Sequence, residues 1–359
     1  MANRTLAALA ALLGRPTPVV GATPHDVVHR ENKWRLLRYR SIPAENGAPR
    51  DATSAPVLLI PSLINRHYVL DLMPGKSFAE HLVRAGHDVY CIDWGTPGPE
   101  DRYLSFDDVC DRAIARALRK VARAEGADTK VHVLGYCLGG TLAAIHAAVH
   151  PERFASLTLV AAPVRFDDDG LLARWTRTPT FDLDALLAAE GNVPWQIMQG
   201  AFHMLRPTLT LAKAVSVINK AWDDPFLDGF LALETWGSDN VSFPGEAYRT
   251  YIEELYRRNA LWHDAFSLSG HRVRLSAIEC PVHAVTFEHD DIVPHRSASD
   301  VLQKVASAIV EHTHLPGGHV GAMVSSSAAK RLWPKLRAFW ARSAPGAPAE
   351  QRDQSLARS

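Results

Sequence analysis

Val131-His132-Val133-Leu134-Gly135-Tyr136-Cys137-Leu138-Gly139-Gly140-Thr141-Leu142 decides how this chain is read. Val131, Val133 and Leu134 make a short apolar run of the kind that is buried as a strand. Residues 135–140 predict a tight turn and residues 141–148 a helix. Cys137 then stands at the tip of a strand–turn–helix unit. Glycine is needed around such a tip, because the backbone is strained and the two elements pass close together. A thiol placed there faces the helix N-terminus, where the dipole and free N–H groups favour a thiolate and a developing oxyanion. A free cysteine is more often a small buried hydrophobe. The glycine frame instead makes Cys137 the candidate nucleophile.

Composition narrows the setting. The chain has 359 residues, 47% of them hydrophobic, enough for a sizeable core. Its 39 basic and 39 acidic residues cancel, so it carries no electrostatic footprint for nucleic acid or an anionic membrane. Cys91, Cys110, Cys137 and Cys280 show no C-x-x-C spacing. Neither a disulfide framework nor a zinc site is expected, and a reducing cytoplasm fits. No apolar run approaches the ~20 residues of a membrane span. Leu6, Leu9 and Leu13 recur at helical spacing, which favours an N-terminal helix over a signal peptide.

Outward from the tip, strands and helices alternate. Residues 34–40 are expected as a first strand, 57–61 as a buried parallel strand, 77–85 as a helix and 89–92 as a strand. Ser105, with Asp108 three residues on, reads as a capping box before a long helix whose apolar face holds Ile114, Leu118 and Val121. Residues 157–161 form a further strand. From 165 to 274 the alternation gives way to helical pieces, prolines and five of the nine tryptophans (Trp175, Trp195, Trp222, Trp236, Trp262). It then resumes as strand, helix, strand and helix at 281–287, 297–305, 309–313 and 320–340. Because it resumes, 165–274 reads as a cap inserted after the sixth strand rather than an independent domain. The expected organisation is an N-terminal helix and linker (1–23), core (24–164), cap (165–274), core (275–342) and a disordered tail (343–359). The fold class is α/β, specifically an α/β-hydrolase fold: a mostly parallel sheet with helices on both faces and a large, mainly helical cap insertion. That fold presents a serine in the same glycine frame.

A thiol nucleophile needs a base, and the base an orienting acid, in the chain order nucleophile, acid, His. His319, in Leu315-Pro316-Gly317-Gly318-His319, lies between the last strand and the last helix, in a loop over the sheet edge that bears the tip. It is the candidate base; His312 and His314, at the strand end, are expected to be packed or solvated. In Glu288-His289-Asp290-Asp291-Ile292-Val293-Pro294 the frame Asp-x-x-Val-Pro selects Asp290 over Asp291 as the acid. The oxyanion hole should use the Leu138 N–H. A second donor should come from the loop after the 57–61 strand, where Leu63 and Ile64 are nearest and Ile64 is the candidate.

Taken together, these residues resemble the polyhydroxyalkanoate synthase family. Beyond the Gly-Tyr-Cys-Leu-Gly-Gly-Thr-Leu tip, the resemblance covers Pro61-Ser-Leu-Ile-Asn65-Arg-His-Tyr68-Val-Leu-Asp71, Tyr90-Cys-Ile-Asp-Trp94-Gly-Thr-Pro97, Gly191-Asn-Val-Pro194, Tyr256-Arg-Arg-Asn259-Ala-Leu261 and the Asp290 and His319 segments. It runs from about residue 24 to 335, and it is to the short, class III-like catalytic subunit, which lacks the long N-terminal domain of other types. The resemblance implies a cytoplasmic acyltransferase, at or near the polyester granule surface. It would polymerise (R)-3-hydroxyacyl-CoA, short units such as 3-hydroxybutyryl, and release CoA through a covalent thioester on Cys137. It implies a homodimer, a second non-catalytic synthase subunit, no cofactor other than the CoA thioester substrate, and no metal. One position departs: the family has His after the catalytic Asp, and here Asp291 stands there, a second carboxylate that disfavours ionisation of both. The competing reading is a cysteine-nucleophile α/β-hydrolase (thioesterase, esterase or dienelactone-hydrolase-like). Dienelactone hydrolases share Gly-Tyr-Cys-Leu-Gly-Gly but are shorter and lack the large insertion. A non-catalytic granule protein fits poorly with a complete Cys, Asp and His set.

Overall fold

The computed structural model describes residues 14–43, 55–126, 128–205 and 209–344; the helix expected within 1–13 and the tail from 345 lie outside them. Eight strands form one sheet: β1 (His25–Glu31), β2 (Trp34–Tyr39), β3 (Val57–Ile60), β4 (Val89–Asp93), β5 (Val131–Tyr136), β6 (Phe154–Val160), β7 (Val282–Phe287) and β8 (Val310–Leu315). Their order is β1-β2-β4-β3-β5-β6-β7-β8. β2 pairs antiparallel with β1 and β4, and every pair from β4 to β8 is parallel. Strands β3 to β7 are buried at every position. β3 is a continuous apolar run, and even the polar residues of the others, such as His132, Thr158 and His283, are buried, because helices cover both faces. Alternate residues feed two cores. Leu36, Leu58, Val133 and Leu157 pack on one face; Leu37, Leu59, Leu134 and Val160 pack on the other.

The first face is covered by α2 (Ile114–Glu125) and α3 (Leu138–Val149), and the second by α1 (Phe78–Arg84) and the C-terminal helices. Ser77 caps α1 by accepting from the Glu80 N–H at 2.9 Å. Ser105 and Asp108 form the reciprocal pair, Ser105 N to Asp108 Oδ2 at 2.9 Å and Asp108 N to Ser105 Oγ at 3.1 Å. They open a π-helical turn, Asp108–Ala113, that runs into α2. The cap contains α4 (Leu171–Thr176), α5 (Leu183–Glu190), α6 (Trp195–Leu205), α7 (Leu209–Asn219), α8 (Asp224–Ser238) and α9 (Gly245–Thr250), which continues as a π-helical turn over Tyr251–Arg257. A two-stranded hairpin, Ser267–Leu268 with His271–Arg272, returns the chain to the sheet. Then come α10 (His295–Ser299), α11 (Gly321–Val324), α12 (Ser326–Arg331) and α13 (Trp333–Ser343).

Four local expectations need correction. The strand at 34–40 is the second, not the first: β1 precedes it as an edge strand with Val27 and Val28 exposed and a register break near His29 that hides its alternation. The helix expected from 141 starts at Leu138, immediately after Cys137. The helix expected at 297–305 begins at His295 and tightens into a 3-10 turn over Asp300–Gln303. The single helix expected at 320–340 is three, because the extended Ser325 caps α12 through the Ala328 N–H and a proline stands in the first turn of α13. Among the described residues, no helix is long and apolar enough to cross a membrane.

Candidate active site

Cys137 links β5 to α3 with φ 55° and ψ −130°, a conformation that costs roughly 1–3 kcal/mol in a residue with a side chain. Its amide N–H is held by the Val160 carbonyl at 2.9 Å, and its own carbonyl accepts from Gly140 at 2.9 Å. The glycines are steric requirements. A Cβ on Gly135 would lie 2.3 Å from the Gly140 Cα, and one on Gly139 would lie 2.1 Å from the Ile60 carbonyl oxygen. The start of α3 thus rests directly on the end of β3.

His319 follows β8 in a loop turned by Gly317 at φ 123°. Its Nδ1 donates to Asp290 Oδ2 at 2.7 Å, and the imidazole feels the charge of Cys137. The Tyr136 hydroxyl donates to the His319 carbonyl at 3.2 Å, and the Tyr136 ring lies 5.4 Å from the imidazole. Asp290 follows β7, with its side chain buried. Its Oδ1 accepts from Ile292 N at 3.0 Å and Val293 N at 2.9 Å, while Asp291 is exposed. Burial by itself would lower the proton affinity of His319. The Asp290 carboxylate and Cys137 outweigh it, through charge and hydrogen bonds, and push the imidazole up to about 10. By contrast, burial drives the thiols of Cys91 and Cys110 far up, and that of Cys280 up to about 12. His312 and His314 stand apart from this group and surround the Thr286 hydroxyl together with His295.

Cys137 opens on an apolar cavity of about 110 Å³. Leu138 and Ile64 both line it beside the thiol, and Leu172, Phe181, Met198 and Phe202 wall it from the cap. A wider recess of about 520 Å³, beside Lys130, Cys280 and Arg342, lies at the opposite, N-terminal edge of the strands and touches none of these groups. Of the five cap tryptophans, only Trp175 lines the cavity. Trp222 is 66% exposed, Trp262 lies against Arg165 and Lys304, and Trp236 donates to the Arg66 carbonyl. Counting tryptophans did not show where they point.

Two sets of contacts have no signature in the sequence, although Asn65, Arg66, Tyr68 and Tyr256 stand in segments that carry the resemblance. Tyr251 and Tyr256, with hydroxyls 3.5 Å apart, bring polar atoms into the largely apolar cavity. The π-helical turn that aims them has no signature in composition. The second set joins the loop after β3 to the cap. Arg66 Nε donates to Asp239 Oδ1 at 2.9 Å, the Tyr68 hydroxyl to Asp239 Oδ2 at 2.7 Å, and Asn65 Nδ2 to Asn240 Oδ1 at 2.6 Å. These contacts span more than 170 residues, so no local pattern reports them.

Residues 55–325 match the alpha/beta hydrolase fold family, and residues 15–82 match the poly-beta-hydroxybutyrate polymerase (PhaC) N-terminus. Two solved structures share the fold. A hydrolase from Pseudomonas aeruginosa superposes with TM-score 0.54 at 15% identity, over 89% of this chain and 99% of that one. A monoglyceride lipase variant from Saccharomyces cerevisiae gives 0.52 at 14%, over 92% and 99%. The chain is 35% identical over 324 residues to the poly(3-hydroxyalkanoate) polymerase subunit PhaC of Haloferax mediterranei, an alignment that spans 90% of this chain and 64% of that protein. It is 34% identical to the subunit of the same name from Allochromatium vinosum, over 88% of each. Identity sustained across both the sheet and the inserted cap goes beyond a shared fold, and the chain belongs to the poly(3-hydroxyalkanoate) polymerase family.

Proposed function

We propose that the chain polymerises (R)-3-hydroxyacyl groups from coenzyme A thioesters, with Cys137 as acyl carrier, His319 as proton carrier and Asp290 as its orienting acid. The observation that carries this reading is a buried Asp290–His319 pair coupled to Cys137, which itself lines an apolar cavity walled by the cap. With His319 holding its proton at neutral pH, the Cys137 sulfur attacks the thioester carbonyl as a thiolate. The new S–C bond forms, the bond to coenzyme A breaks, and the imidazolium gives its proton to the departing thiolate. Thioester exchanges for thioester, so the acyl group stays reactive.

Acylation removes the charge on sulfur that helped hold the proton on His319. The neutral imidazole then takes the proton of a 3-hydroxyl group. That oxygen attacks the acyl carbonyl, an ester forms, and Cys137 is released as the thiolate beside a recharged imidazolium. The Leu138 and Ile64 N–H groups are proposed to receive the oxyanion. Apolar walls around the thioester disfavour water and so favour alcohol attack over hydrolysis. No prosthetic group or metal enters these steps. We place the protein in the cytoplasm at the granule surface, as a homodimer working with a second, non-catalytic subunit. Ile197, Met204 and Val215, exposed on the cap helices, suit such contacts.

The test supplies (R)-3-hydroxybutyryl-CoA, with and without a candidate second subunit, and follows thiol release and polyester together. Polymer should form with coenzyme A release, and Cys137→Ala should abolish both while leaving the circular dichroism unchanged. Stoichiometric free 3-hydroxybutyrate without polymer would instead establish a cysteine hydrolase.

A further inference from the structure

We propose that the hydroxyls of Tyr251 and Tyr256 recognise the oxygen at C3 of the acyl group carried on Cys137, and so select 3-hydroxyacyl over plain acyl thioesters; this rests on the reading of Cys137 as acyl carrier. Both tyrosines line the cavity onto which Cys137 opens. Most of that lining is apolar, and Thr176 turns its hydroxyl back onto the Leu172 and Ala173 carbonyls of its own helix, at 3.0 and 3.1 Å. The two phenol oxygens are 3.5 Å apart. An O–H···O hydrogen bond spans about 2.5–3.0 Å, so the pair satisfies itself poorly. The Tyr251 proton faces the Tyr256 oxygen, and among the described residues the Tyr256 proton has no acceptor. Both residues are buried, 9% and 7% exposed, where an unpaired donor is costly. An oxygen set about 2.8 Å from each hydroxyl takes both protons at once.

The rings are held in place by their neighbours. Tyr256 meets Phe166 edge-on at 5.0 Å and Tyr251 at 5.2 Å, and Tyr251 packs on Phe243 at 5.7 Å. Arg177 Nε holds the Tyr256 carbonyl at 3.0 Å, which fixes the backbone of the π-helical turn. Burial raises the proton affinity of both phenols, and the charge of Cys137 adds to it, so both remain neutral donors. A 3-hydroxyacyl group offers two oxygens to such a site. In the proposed mechanism the carbonyl oxygen goes to the Leu138 and Ile64 N–H groups. The other is the hydroxyl at C3, and it is the one left for the tyrosines. Leu172, Phe181 and Met198 then surround the alkyl remainder. A plain acyl group turns a methylene toward the same two protons. A site built to hydrogen-bond a substrate hydroxyl rejects the analogue without it, because its own buried groups are left unpaired. The long contact between the tyrosines survives in that case, which softens the rejection without removing it.

The test compares first-turnover release of the coenzyme A thiol from (R)-3-hydroxybutyryl-CoA and from butyryl-CoA, with the full chain in excess of thioester. Butyryl-CoA has no hydroxyl to elongate, so only transfer to Cys137 is compared. The parent should favour the hydroxylated thioester about tenfold or more. Tyr256→Phe and Tyr251→Phe should each cut that ratio at least about threefold, with the circular dichroism of the parent. Tyr248→Phe should keep the ratio: Tyr248 also lines the cavity, but burial pushes its hydroxyl up to about 12 with no contribution from Cys137. Equal rates in the parent would overturn the proposal without any variant. So would a loss shared evenly by both thioesters in the Tyr251 and Tyr256 variants, or a ratio that falls in Tyr248→Phe instead. The product separates this inference from the polymerase reading. Selective thiol release that ends in free acid upholds the tyrosines and removes the polymerase; polymer formed with equal first-turnover rates does the reverse.

Discussion

Asp290→Asn isolates what the carboxylate contributes to the site. The two Asp290 oxygens are differently engaged: Oδ1 holds the Ile292 and Val293 N–H groups, and Oδ2 holds His319 Nδ1 at 2.7 Å. Asparagine fits the same space but has one oxygen. That oxygen stays on the two backbone donors, because turning the amide would leave both facing an NH₂ group, and each orphaned buried donor costs about 1–3 kcal/mol. The NH₂ group then faces Nδ1 and requires a lone pair there. The imidazole proton moves to Nε2, toward Cys137, and the ring can no longer take a proton at that atom. The charge that opposes burial and raises His319 to about 10 is lost as well. The matching substitution in a serine protease costs ~10⁴ in kcat, about 5.4 kcal/mol at 1.36 kcal/mol per decade. A thiol ionises more readily than a hydroxyl, so the expected loss in coenzyme A release is about 10³–10⁴-fold. The assay follows thiol appearance at saturating substrate, with Asp291→Asn in parallel. Asp291 is exposed, and its substitution should change the rate by no more than about threefold. An Asp290→Asn protein retaining more than about a tenth of the parent rate, or an Asp291→Asn protein slower than it, would refute this chain of reasoning.

Other perturbations address the scaffold and its protons. Gly139→Ala puts a Cβ 2.1 Å and 2.4 Å from two backbone carbonyl oxygens, of Ile60 and Pro61, so it should destabilise the fold by roughly 3 kcal/mol or more in urea unfolding. An unchanged midpoint would show that the elbow relaxes freely. His319 has its folded-state proton affinity raised from 6.5 to about 10, so its stabilising contribution is complete below about pH 6.5 and is lost as pH rises through about 10. Unfolding free energy should therefore fall more steeply between pH 7 and 10 in the parent than in His319→Gln, and equal slopes would contradict the charged resting state. Asp239→Asn weakens the Arg66 pair, whose members are 22% and 44% exposed, and should cost no more than about 1 kcal/mol of stability. It should raise the share of acyl groups lost as free acid, measured by product analysis. An unaltered product ratio would show that the Arg66–Asp239 contact does not bear on water exclusion.

What was legible in the sequence was local. The tip could be read because its strand, its glycines and its helix are contiguous, and close packing of Gly135, Gly139 and Gly140 is the physical content of that pattern. The Asp-x-x-Val-Pro frame has a counterpart as simple: two consecutive N–H groups, of Ile292 and Val293, fold back onto Asp290 and hold one oxygen, leaving the other for His319. β1 was illegible because an edge strand needs only backbone partners, and four of its seven residues are exposed. The helix expected at 320–340 breaks at Ser325 and again before Pro334, and of these only the proline is a plain sequence signal. The cavity lining was illegible for a different reason: Tyr251 and Tyr256 enter the cavity from a π-helical turn, which shifts side chains off the 3.6-residue period.

The clip between Asn65, Arg66 and Tyr68 and the end of α8 bears on how such proteins can be recombined. A cap transplanted from a relative between residues 165 and 274 would bring its own counterparts of Asp239 and Asn240 but meet this chain's 62–70 loop. That loop carries Ile64, which lines the cavity with Cys137, so a mismatch more than 170 residues away in sequence is felt at the backbone amide proposed as an oxyanion donor. The unit of exchange is therefore the cap together with the loop after β3. A library that shuffles the two independently will lose activity at the seam, even where every chimera folds.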